Sequence, residues 1–245
     1  MPIGSISLVI PAYNEEKRIV PFLASIAAYA ATHPHAITEV IVVDDGSTDA
    51  TLPVATQAGS SIPGFALISQ HQNMGKGAAV KTGVMAATSD YIVFMDADGA
   101  TDINQLPKMT AALDGYDIAI GSRWLDGSVM ERHSWLRSLS GYMNRAYMKL
   151  FGFGDIDTMC GFKGYKAAIA RDLYNDLQEH RWLFDTEIAY RALCRKYSIH
   201  NFPIAWESKD GSKLSTATLI ASAFSIFPLM MSIKKQERSH KPFVA

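Results

Sequence analysis

The first 125 residues of the chain alternate short β-branched runs with stretches of helical pattern. This alternation predicts an α/β fold in which a mostly parallel sheet is covered by helices. The expected strands are 5–10, 39–43, 65–69, 91–95 and 117–120, and the expected helices are about 15–31, 49–58, 75–87 and 103–113. Beyond residue 125 we expect longer helices near 134–151 and 184–196 and a last strand near 199–206.

Acidic residues stand where two of these strands end. Ile92-Val93-Phe94-Met95 runs directly into Asp96-Ala97-Asp98, and the strand over 39–43 ends in Asp44-Asp45. In open α/β sheets, ligands bind beyond the carboxyl ends of the strands. Because alternate residues of an extended chain point to the same side, both acids of the first motif could face one divalent cation that also holds a diphosphate. Two acids one residue apart also occur by chance in surface turns, so the Asp96–Asp98 motif alone is a weak signal. The second strand that ends in acids, at Asp44-Asp45, strengthens the prediction of a site.

Length and composition favour one catalytic domain with a C-terminal appendage. The chain has 245 residues, 48% of them hydrophobic, and a formal charge of -1, which argues against a basic nucleic-acid binder and against a disordered chain. Cys160 and Cys194 cannot make a disulfide framework, which suits a reducing compartment. The first strand begins within the first ten residues, so we expect no signal peptide or N-terminal anchor and a cytoplasmic location.

The segment 214–233 carries no charge and is flanked by lysines. Its length meets the minimum for spanning a bilayer, but a weakly polar stripe better suits a helix in the membrane interface. Pro228 is expected to interrupt this helix. Packing on the domain and spanning the membrane stay open as alternatives. We predict a catalytic domain over 1–213 and an amphipathic interface helix with a basic tail over 214–245. The stripe comprises Ser215, Thr218, Ser222, Ser225 and Ser232.

Four motifs follow one another along the first half of the chain. They are Val9-Ile10-Pro11-Ala12-Tyr13-Asn14-Glu15, Val42-Val43-Asp44-Asp45-Gly46-Ser47, Asn73-Met74-Gly75-Lys76-Gly77 and Asp96-Ala97-Asp98-Gly99-Ala100-Thr101. Together they resemble the motifs of family 2 glycosyltransferases, whose Rossmann-like fold is called GT-A.

The second half narrows this resemblance to the dolichyl-phosphate glucosyltransferase branch, with dolichyl-phosphate mannose synthases as the next relatives. Its motifs are Gly121-Ser122-Arg123, Asp157-Thr158-Met159-Cys160-Gly161-Phe162-Lys163, Arg181-Trp182-Leu183-Phe184-Asp185-Thr186-Glu187 and Asp210-Gly211-Ser212-Lys213-Leu214. The chain departs from the branch in two ways. Met159 replaces the usual Gln, and the hydrophobic N-terminal anchor of the eukaryotic members is missing, which suits a prokaryotic or truncated protein.

The resemblance implies a site for a nucleotide-sugar donor. Asp96 and Asp98 are the expected ligands of Mg²⁺ or Mn²⁺, because hard carboxylate oxygens and a diphosphate suit these cations. The cation would neutralise the charge that grows on the leaving diphosphate. The expected donor-binding residues are Pro11, Ala12, Tyr13, Glu15, Asp44, Asp45, Lys76, Asp96, Ala97, Asp98, Ser212 and Lys213.

Three of the residues in these motifs also have simpler interpretations. Asp44 could satisfy backbone donors in its turn. Asp49 suits the start of the second helix, where it could be a capping residue or a ligand, with Ser47 or Thr48 as the candidate N-cap. Lys76 could be a solvated lysine, since the chain has no GxxxxGK[ST] phosphate loop.

The acceptor side is expected to be basic. One group of cations could form an anion-binding wall, although each could also be a solvated surface charge. By resemblance, Arg123 and Arg137 bind the lipid phosphate, and Lys209 is a weaker candidate. A phosphate acceptor requires no strong general base, whereas a hydroxyl acceptor does. Asp185 and Glu187 are the available carboxylates, and we interpret Asp185 as positioning the acceptor or its basic partners. The wall would comprise Arg123, Arg132, Arg137, Lys163, Lys209 and Lys213.

We therefore expect an inverting hexosyltransferase that moves glucose from UDP-glucose to a polyprenyl or dolichyl phosphate. Its catalytic residues would be Asp96, Asp98, Arg123 and Asp185. Its partners would be the donor, the lipid phosphate and the cytoplasmic face of a membrane, to which it binds peripherally, and not nucleic acid. The alternatives are a GDP-mannose-dependent synthase, a transferase to a hydroxyl acceptor, a nucleotidyltransferase, and a non-catalytic nucleotide-sugar binding protein.

Overall fold

A seven-stranded sheet forms the centre of the computed structural model, which describes residues 4–131, 148–149, 151–207 and 216–239. The strands are β1 (Ile6–Ala12), β2 (Glu39–Asp44), β3 (Phe65–Ser69), β4 (Tyr91–Met95), β5 (Ile118–Ser122), β6 (Val129–Glu131), β7 (Phe162–Lys166), β8 (Ile199–Pro203) and β9 (Ala205–Glu207). The main sheet has the order β3-β2-β1-β4-β7-β5-β8, and β6 pairs with β9 in a small second sheet.

Helices cover both faces of this sheet. They are α1 (Ile19–Thr32), α2 (Thr51–Gly59), α3 (Lys76–Ala86), α4 (Leu106–Gly115), α5 (Ala167–Asn175), α6 (Phe184–Cys194) and α7 (Thr216–Glu237), with a 3₁₀ turn at Ile103–Gln105 before α4. Successive side chains of a strand point to opposite faces. In β1, Leu8 and Ile10 accordingly join a core beneath α1, α2 and α4, while Val9 joins a core beneath α3, α5 and α6.

The strands and helices expected before residue 125 are all present, with boundaries that shift by a few residues. The expected strand near 199–206 divides into β8 and β9, and the helix near 134–151 lies largely outside the described residues. The main difference is β7, which the strand pattern did not predict. It is antiparallel to both of its neighbours, β4 and β5, whereas the other pairings in the main sheet are parallel.

The direction of β7 matters for the site. Because β7 runs opposite to β4, Phe162 pairs with Met95, and the residues just before β7 arrive at the carboxyl end of β4. The sequence FKGYK hides this strand because Lys163, which local pattern assigns to solvent, is only 1% exposed. The segment 157–161 therefore lies beside the Asp96–Asp98 motif.

The C-terminal segment contains the helix α7, and its expected place in a membrane interface stays a prediction. Ile226 and Met230 pack against α6 in a third apolar cluster with Phe153 and Leu183. The expectation that Pro228 interrupts the helix is wrong, because α7 continues through this residue even though proline lacks the N–H of one helical hydrogen bond. No helix in the described part of the chain is both long enough and apolar enough to cross a membrane.

Candidate active site

The loops that follow β1 and β2 are joined by reciprocal hydrogen bonds. The Asn14 N–H donates to Ser47 Oγ at 2.9 Å, and the Thr48 N–H donates to Asn14 Oδ1 at 2.8 Å. Ser47 and Thr48 are thus not the N-cap of α2, which corrects that expectation. The N-cap is Ala50, and Asp49, the residue before it, supports the start of the helix, since its Oδ1 accepts the Thr51 N–H at 2.9 Å. These contacts hold the two loops side by side at the carboxyl edge of the sheet.

Two of the expected donor-binding acids are held by the protein itself. Glu15 is nearly buried and makes a bidentate ion pair with Arg18, in which Nε to Oε2 and Nη2 to Oε1 are both 2.6 Å. Asp45 accepts the N–H groups of Met74 and Gly75 at 2.8 and 2.9 Å. Burial raises the pKa of the Asp45 carboxyl despite these two donors. Asp45 therefore ties β2 to the loop before α3.

Asp44 lies deeper, at the end of β2, and is 2% exposed. Both of its carboxylate oxygens lie 3.4 Å from the Ser47 N–H nitrogen, and Oδ2 lies 3.5 Å from Ser69 Oγ. These are the contacts expected of a residue that satisfies donors in its own turn.

The Gly75-Lys76-Gly77 motif lets α3 begin in close contact with the segment before α6. Gly75 has φ +105°, and a Cβ there would stand 2.3 Å from the His180 carbonyl oxygen. A Cβ on Gly77 would stand 2.6 Å from Phe184 Cβ. Glycine at both positions permits this approach. As a result Lys76, the first residue of α3, reaches the acidic motif after β4.

Lys76 forms an ion pair with Asp96, with 2.6 Å between Nζ and Oδ1. Burial would lower the pKa of the Lys76 ammonium, but the charges of Asp96 and Asp185 outweigh burial and raise it. Asp98 lies two residues after Asp96, and its Oδ1 accepts the Ala100 N–H at 3.0 Å. Burial and the negative charge of Asp96 raise the pKa of the Asp98 carboxyl. A carboxylate whose ionisation is opposed by burial and by a neighbouring negative charge is stabilised by a bound cation.

Gly161 fixes the position of Asp96. The Asp96 N–H donates to the Gly161 carbonyl oxygen at 3.0 Å, and a Cβ on Gly161 would lie 2.0 Å from Asp96 Oδ2. Only glycine leaves room for the carboxylate in this place. Gly161 had no role in the sequence-based expectations, because its importance depends on a neighbour 65 residues earlier in the chain.

Arg123 is committed to Asp157, the first residue of the same segment. Arg123 Nε and Nη2 donate to the two Asp157 oxygens at 2.8 Å each, and the guanidinium carbon lies 5.3 Å from the centre of the Trp206 ring. Burial opposes ionisation of both groups, yet the pair is charged, because their attraction raises the pKa of Arg123 and lowers that of Asp157. The expected contact of Arg123 with an acceptor phosphate stays a prediction.

Lys163 does not belong to an anion-binding wall, which corrects that expectation. Its Nζ lies 2.7 Å from Asp185 Oδ1 and donates to the Cys160 and Thr158 carbonyl oxygens at 2.5 and 3.1 Å. Asp185 is 5% exposed, and burial raises the pKa of its carboxyl against the opposing charge of Lys163. Lys163 thereby joins the segment 157–161 to α6.

Glu187 is not available as a base, contrary to expectation. Its carboxylate is fully buried and accepts the N–H groups of Gln178 and Glu179, the latter at 2.7 Å. It also pairs with Arg191 at 2.7 Å. Glu187 therefore holds the segment before α6 in place.

A groove of about 1040 Å³ opens from Asp98 and runs along α1. Trp206 and Val129 form part of its opposite wall, and Phe22 and Tyr29 lie on the α1 side. The groove places an open, largely apolar volume next to the acidic motif. Five residues expected at the site lie outside the described part of the chain: Arg132, Arg137, Lys209, Ser212 and Lys213.

Comparison with known proteins agrees with this geometry. The family model "Glycosyl transferase family 2" matches residues 7–174. Dolichyl-phosphate β-glucosyltransferases are 36% identical in Drosophila melanogaster and 34% identical in Homo sapiens, and each alignment covers 87% of this chain and 70% of the relative. The Saccharomyces cerevisiae enzyme of the same name is 32% identical over 86% of this chain and 70% of its own length.

Solved structures support the fold. Glucosyl-3-phosphoglycerate synthase from Mycobacterium tuberculosis, crystallised with Mg²⁺ and uridine diphosphate, superposes with a TM-score of 0.69 at 20% identity, covering 94% of this chain and 79% of that one. The expected GT-A-like fold is confirmed. The chain belongs to glycosyltransferase family 2 and, within it, to the family of the dolichyl-phosphate β-glucosyltransferases.

Proposed function

We propose that this protein transfers glucose from UDP-glucose to dolichyl phosphate or another polyprenyl phosphate, at the cytoplasmic face of a membrane. Its curated relatives are named for transfer to dolichyl phosphate, and a structural neighbour was crystallised with UDP-glucose. A single in-line displacement at the anomeric carbon would give a β-linked product. GDP-mannose is the alternative donor.

The donor side of the proposal rests on the acidic motif after β4. Asp96 and Asp98 would hold Mg²⁺ or Mn²⁺, and the raised pKa of the Asp98 carboxyl fits a carboxylate whose charge a bound cation would stabilise. When bound, the cation would neutralise charge on the leaving diphosphate. Lys76, paired with Asp96 at the start of α3, would bring a second positive charge to that diphosphate. Pro11, Ala12 and Tyr13 would line the nucleoside pocket beside the joined loops.

One observation favours a phosphate acceptor over a hydroxyl acceptor. A hydroxyl nucleophile needs a general base, whereas a lipid phosphate is already an anion near neutral pH. In the segment that would supply the base, Asp185 is ion-paired with Lys163, and Glu187 is buried with Arg191 and two backbone donors. Both carboxylates are thus engaged in holding neighbouring segments of the chain in place. Arg123, Arg137 and Lys209 remain the proposed ligands of the acceptor phosphate.

The test is transfer of radiolabel into the organic phase. The purified protein is incubated with Mn²⁺ and labelled UDP-glucose or GDP-mannose, with or without a polyprenyl phosphate. We expect lipid-dependent transfer from UDP-glucose that Asp98→Ala abolishes. The matched control is Asp114→Ala, which removes an exposed acid on α4 at the opposite end of the sheet. Transfer from neither donor, with intact metal-dependent UDP binding, would refute the lipid-phosphate proposal.

A further inference from the structure

The last helix exposes a stripe that is apolar at one end and basic at the other. Phe227 and Met231 are 58% and 54% exposed and lie one helical turn apart. Lys234 continues the stripe in the last turn of the helix, Lys235 flanks it, and Arg238 follows directly after the helix ends; all three are exposed. Residues three or four positions apart lie on the same side of a helix. We call these five residues the α7 stripe.

Another face of this part of α7 is buried. Ile226 and Met230 are 3% and 8% exposed, and Ile233 is fully buried. Ile226 and Met230 belong to an apolar cluster with residues of α6 and of the segment before β7. The helix thus has a buried packing face, and Phe227 and Met231 lie outside it.

Buried ion pairs fix the orientation of α7. Glu237, in its last turn, binds Arg191 Nη1 at 2.5 Å and Arg195 Nη2 at 2.7 Å, and Gln236 accepts from Arg191 at 2.9 Å. Arg191 is 1% exposed, and Arg195 also binds Asp172 at 2.6 Å. Breaking a buried ion pair is strongly unfavourable, because it leaves an uncompensated charge. The helix therefore cannot roll freely, and the stripe keeps one direction relative to the domain.

The same ion pairs relate the stripe to the active site. Arg191 lies in the last turn of α6 and Arg195 follows the helix as its C-cap, while the second residue of α6, Asp185, is paired with Lys163. The eleven residues of α6 span about 16 Å. A surface bound by the α7 stripe is therefore held at a fixed distance and orientation relative to the active site.

We propose that the α7 stripe docks on an anionic lipid surface. Apolar side chains followed by cations suit a helix that inserts in the membrane interface while its basic end binds headgroups. The stripe contains no acid, so its charge is complementary to such a surface. A standard protein–protein interface uses about 20–30 residues on each side, far more than this stripe offers. The proposal rests on the proposed function, since it adds the membrane in which a lipid phosphate acceptor would lie.

The expected effect of the basic residues can be stated as a fold-change. A lysine or arginine at an anionic membrane surface contributes about fivefold to binding, so replacing all three with glutamine should weaken binding on the order of 100-fold. The double variant Phe227→Ser/Met231→Ser should also weaken binding, both to vesicles that contain anionic lipid and to vesicles that do not. Because these side chains are exposed, the variants should melt close to the wild-type temperature; the variant at Phe227 loses the packing contact of that ring with the Phe151 ring, and the centres of the two rings lie 6.4 Å apart.

Vesicle flotation of the full-length chain tests the proposal. The vesicles are phosphatidylcholine with or without phosphatidylserine, and the control variant is Met85→Ser, which removes a 46% exposed methionine near the end of α3. We expect the wild type and the control to float with phosphatidylserine vesicles and both stripe variants to remain in solution. Equal flotation of the variants and the wild type would overturn the proposal. So would a change of oligomeric state in the double variant Phe227→Ser/Met231→Ser without a change in flotation.

A second assay separates this inference from the proposed function. Transfer is measured to a water-soluble short-chain prenyl phosphate and to a long-chain acceptor in vesicles. The stripe variants should retain transfer to the soluble acceptor and lose transfer to the acceptor in vesicles. A wild type that floats but transfers to neither acceptor would refute the proposed function alone. A wild type that transfers to the soluble acceptor but does not float would refute the docking surface alone.

Discussion

Replacing Gly161 with alanine should damage the active site without damaging the fold. The new Cβ would lie 2.0 Å from Asp96 Oδ2 and 2.2 Å from Asp96 Cγ. The carboxylate would have to move away by roughly 1.5 Å to restore an ordinary contact of about 3.5 Å between heavy atoms. Asp96 is half-buried at the edge of the sheet, so it can move without opening a cavity in the core.

A misplacement of about 1 Å can cost on the order of 100-fold in rate, which corresponds to about 2.7 kcal/mol of transition-state stabilisation. For Gly161→Ala we therefore expect kcat/KM to fall about 100-fold and the Mn²⁺ concentration for half-maximal rate to rise. The assay is initial rate against Mn²⁺ at saturating donor, with melting temperature measured in parallel.

Gly115→Ala provides the matched control, because a Cβ at Gly115 meets nothing within 4 Å. The control should keep the wild-type rate and metal dependence. Wild-type kinetics in Gly161→Ala would show that the position of Asp96 does not limit catalysis. A large loss of melting temperature in Gly161→Ala would show that the glycine serves the fold instead of the site.

Three further predictions concern charged residues. Lys163→Met should leave Asp185 without its partner in a buried place and destabilise the protein by about 3–5 kcal/mol, measured by urea unfolding, and a stable variant would refute this. Lys76→Met should raise the donor KM about tenfold or more, since a hydrogen bond to a charged group is worth about 1.5–3 kcal/mol. The melting temperature should change little, because the ion pair of Lys76 with Asp96 is partly exposed. An unchanged KM would exclude Lys76 from the diphosphate site. Burial would raise the pKa of the Glu237 carboxyl, but its two arginine partners lower it below 4.5. Its stabilising effect is therefore complete above pH 4.5 and is lost as the pH falls through the lowered pKa, so the difference in melting temperature between wild type and Glu237→Gln should disappear in acid. A difference that persists at low pH would contradict this.

The parts of the site that local pattern predicts are those carried by strand ends. Asp45, Asp96 and Asp98 each follow a β-branched or apolar run, and the carboxyl ends of neighbouring parallel strands meet at one edge. Alternation of strands and helices was therefore enough to bring these acids together. The α/β class and most boundaries in the first half followed from the same local pattern.

The remaining parts depend on contacts between distant residues. Lys163 has the sequence appearance of a surface cation, and only the insertion of β7 between β4 and β5 turns it toward Asp185. Glu187 has the appearance of a free acid until the segment before α6 folds over it. Gly161 is required only because Asp96 lies against it. The pattern and spacing of residues within one helix or strand cannot predict these contacts between distant segments.

The place of β7 also has a consequence for how the chain acquires its structure during synthesis. β4 is complete at Met95, but its neighbour on one side, β7, begins only at Phe162. At about 5–20 residues per second, the ribosome needs several seconds to make the intervening chain. Throughout that interval β4 has an unpaired edge of apolar residues, which is a template for association with other chains. A nascent or truncated chain that ends before β7 is thus the form of this protein most exposed to aggregation and to chaperone binding.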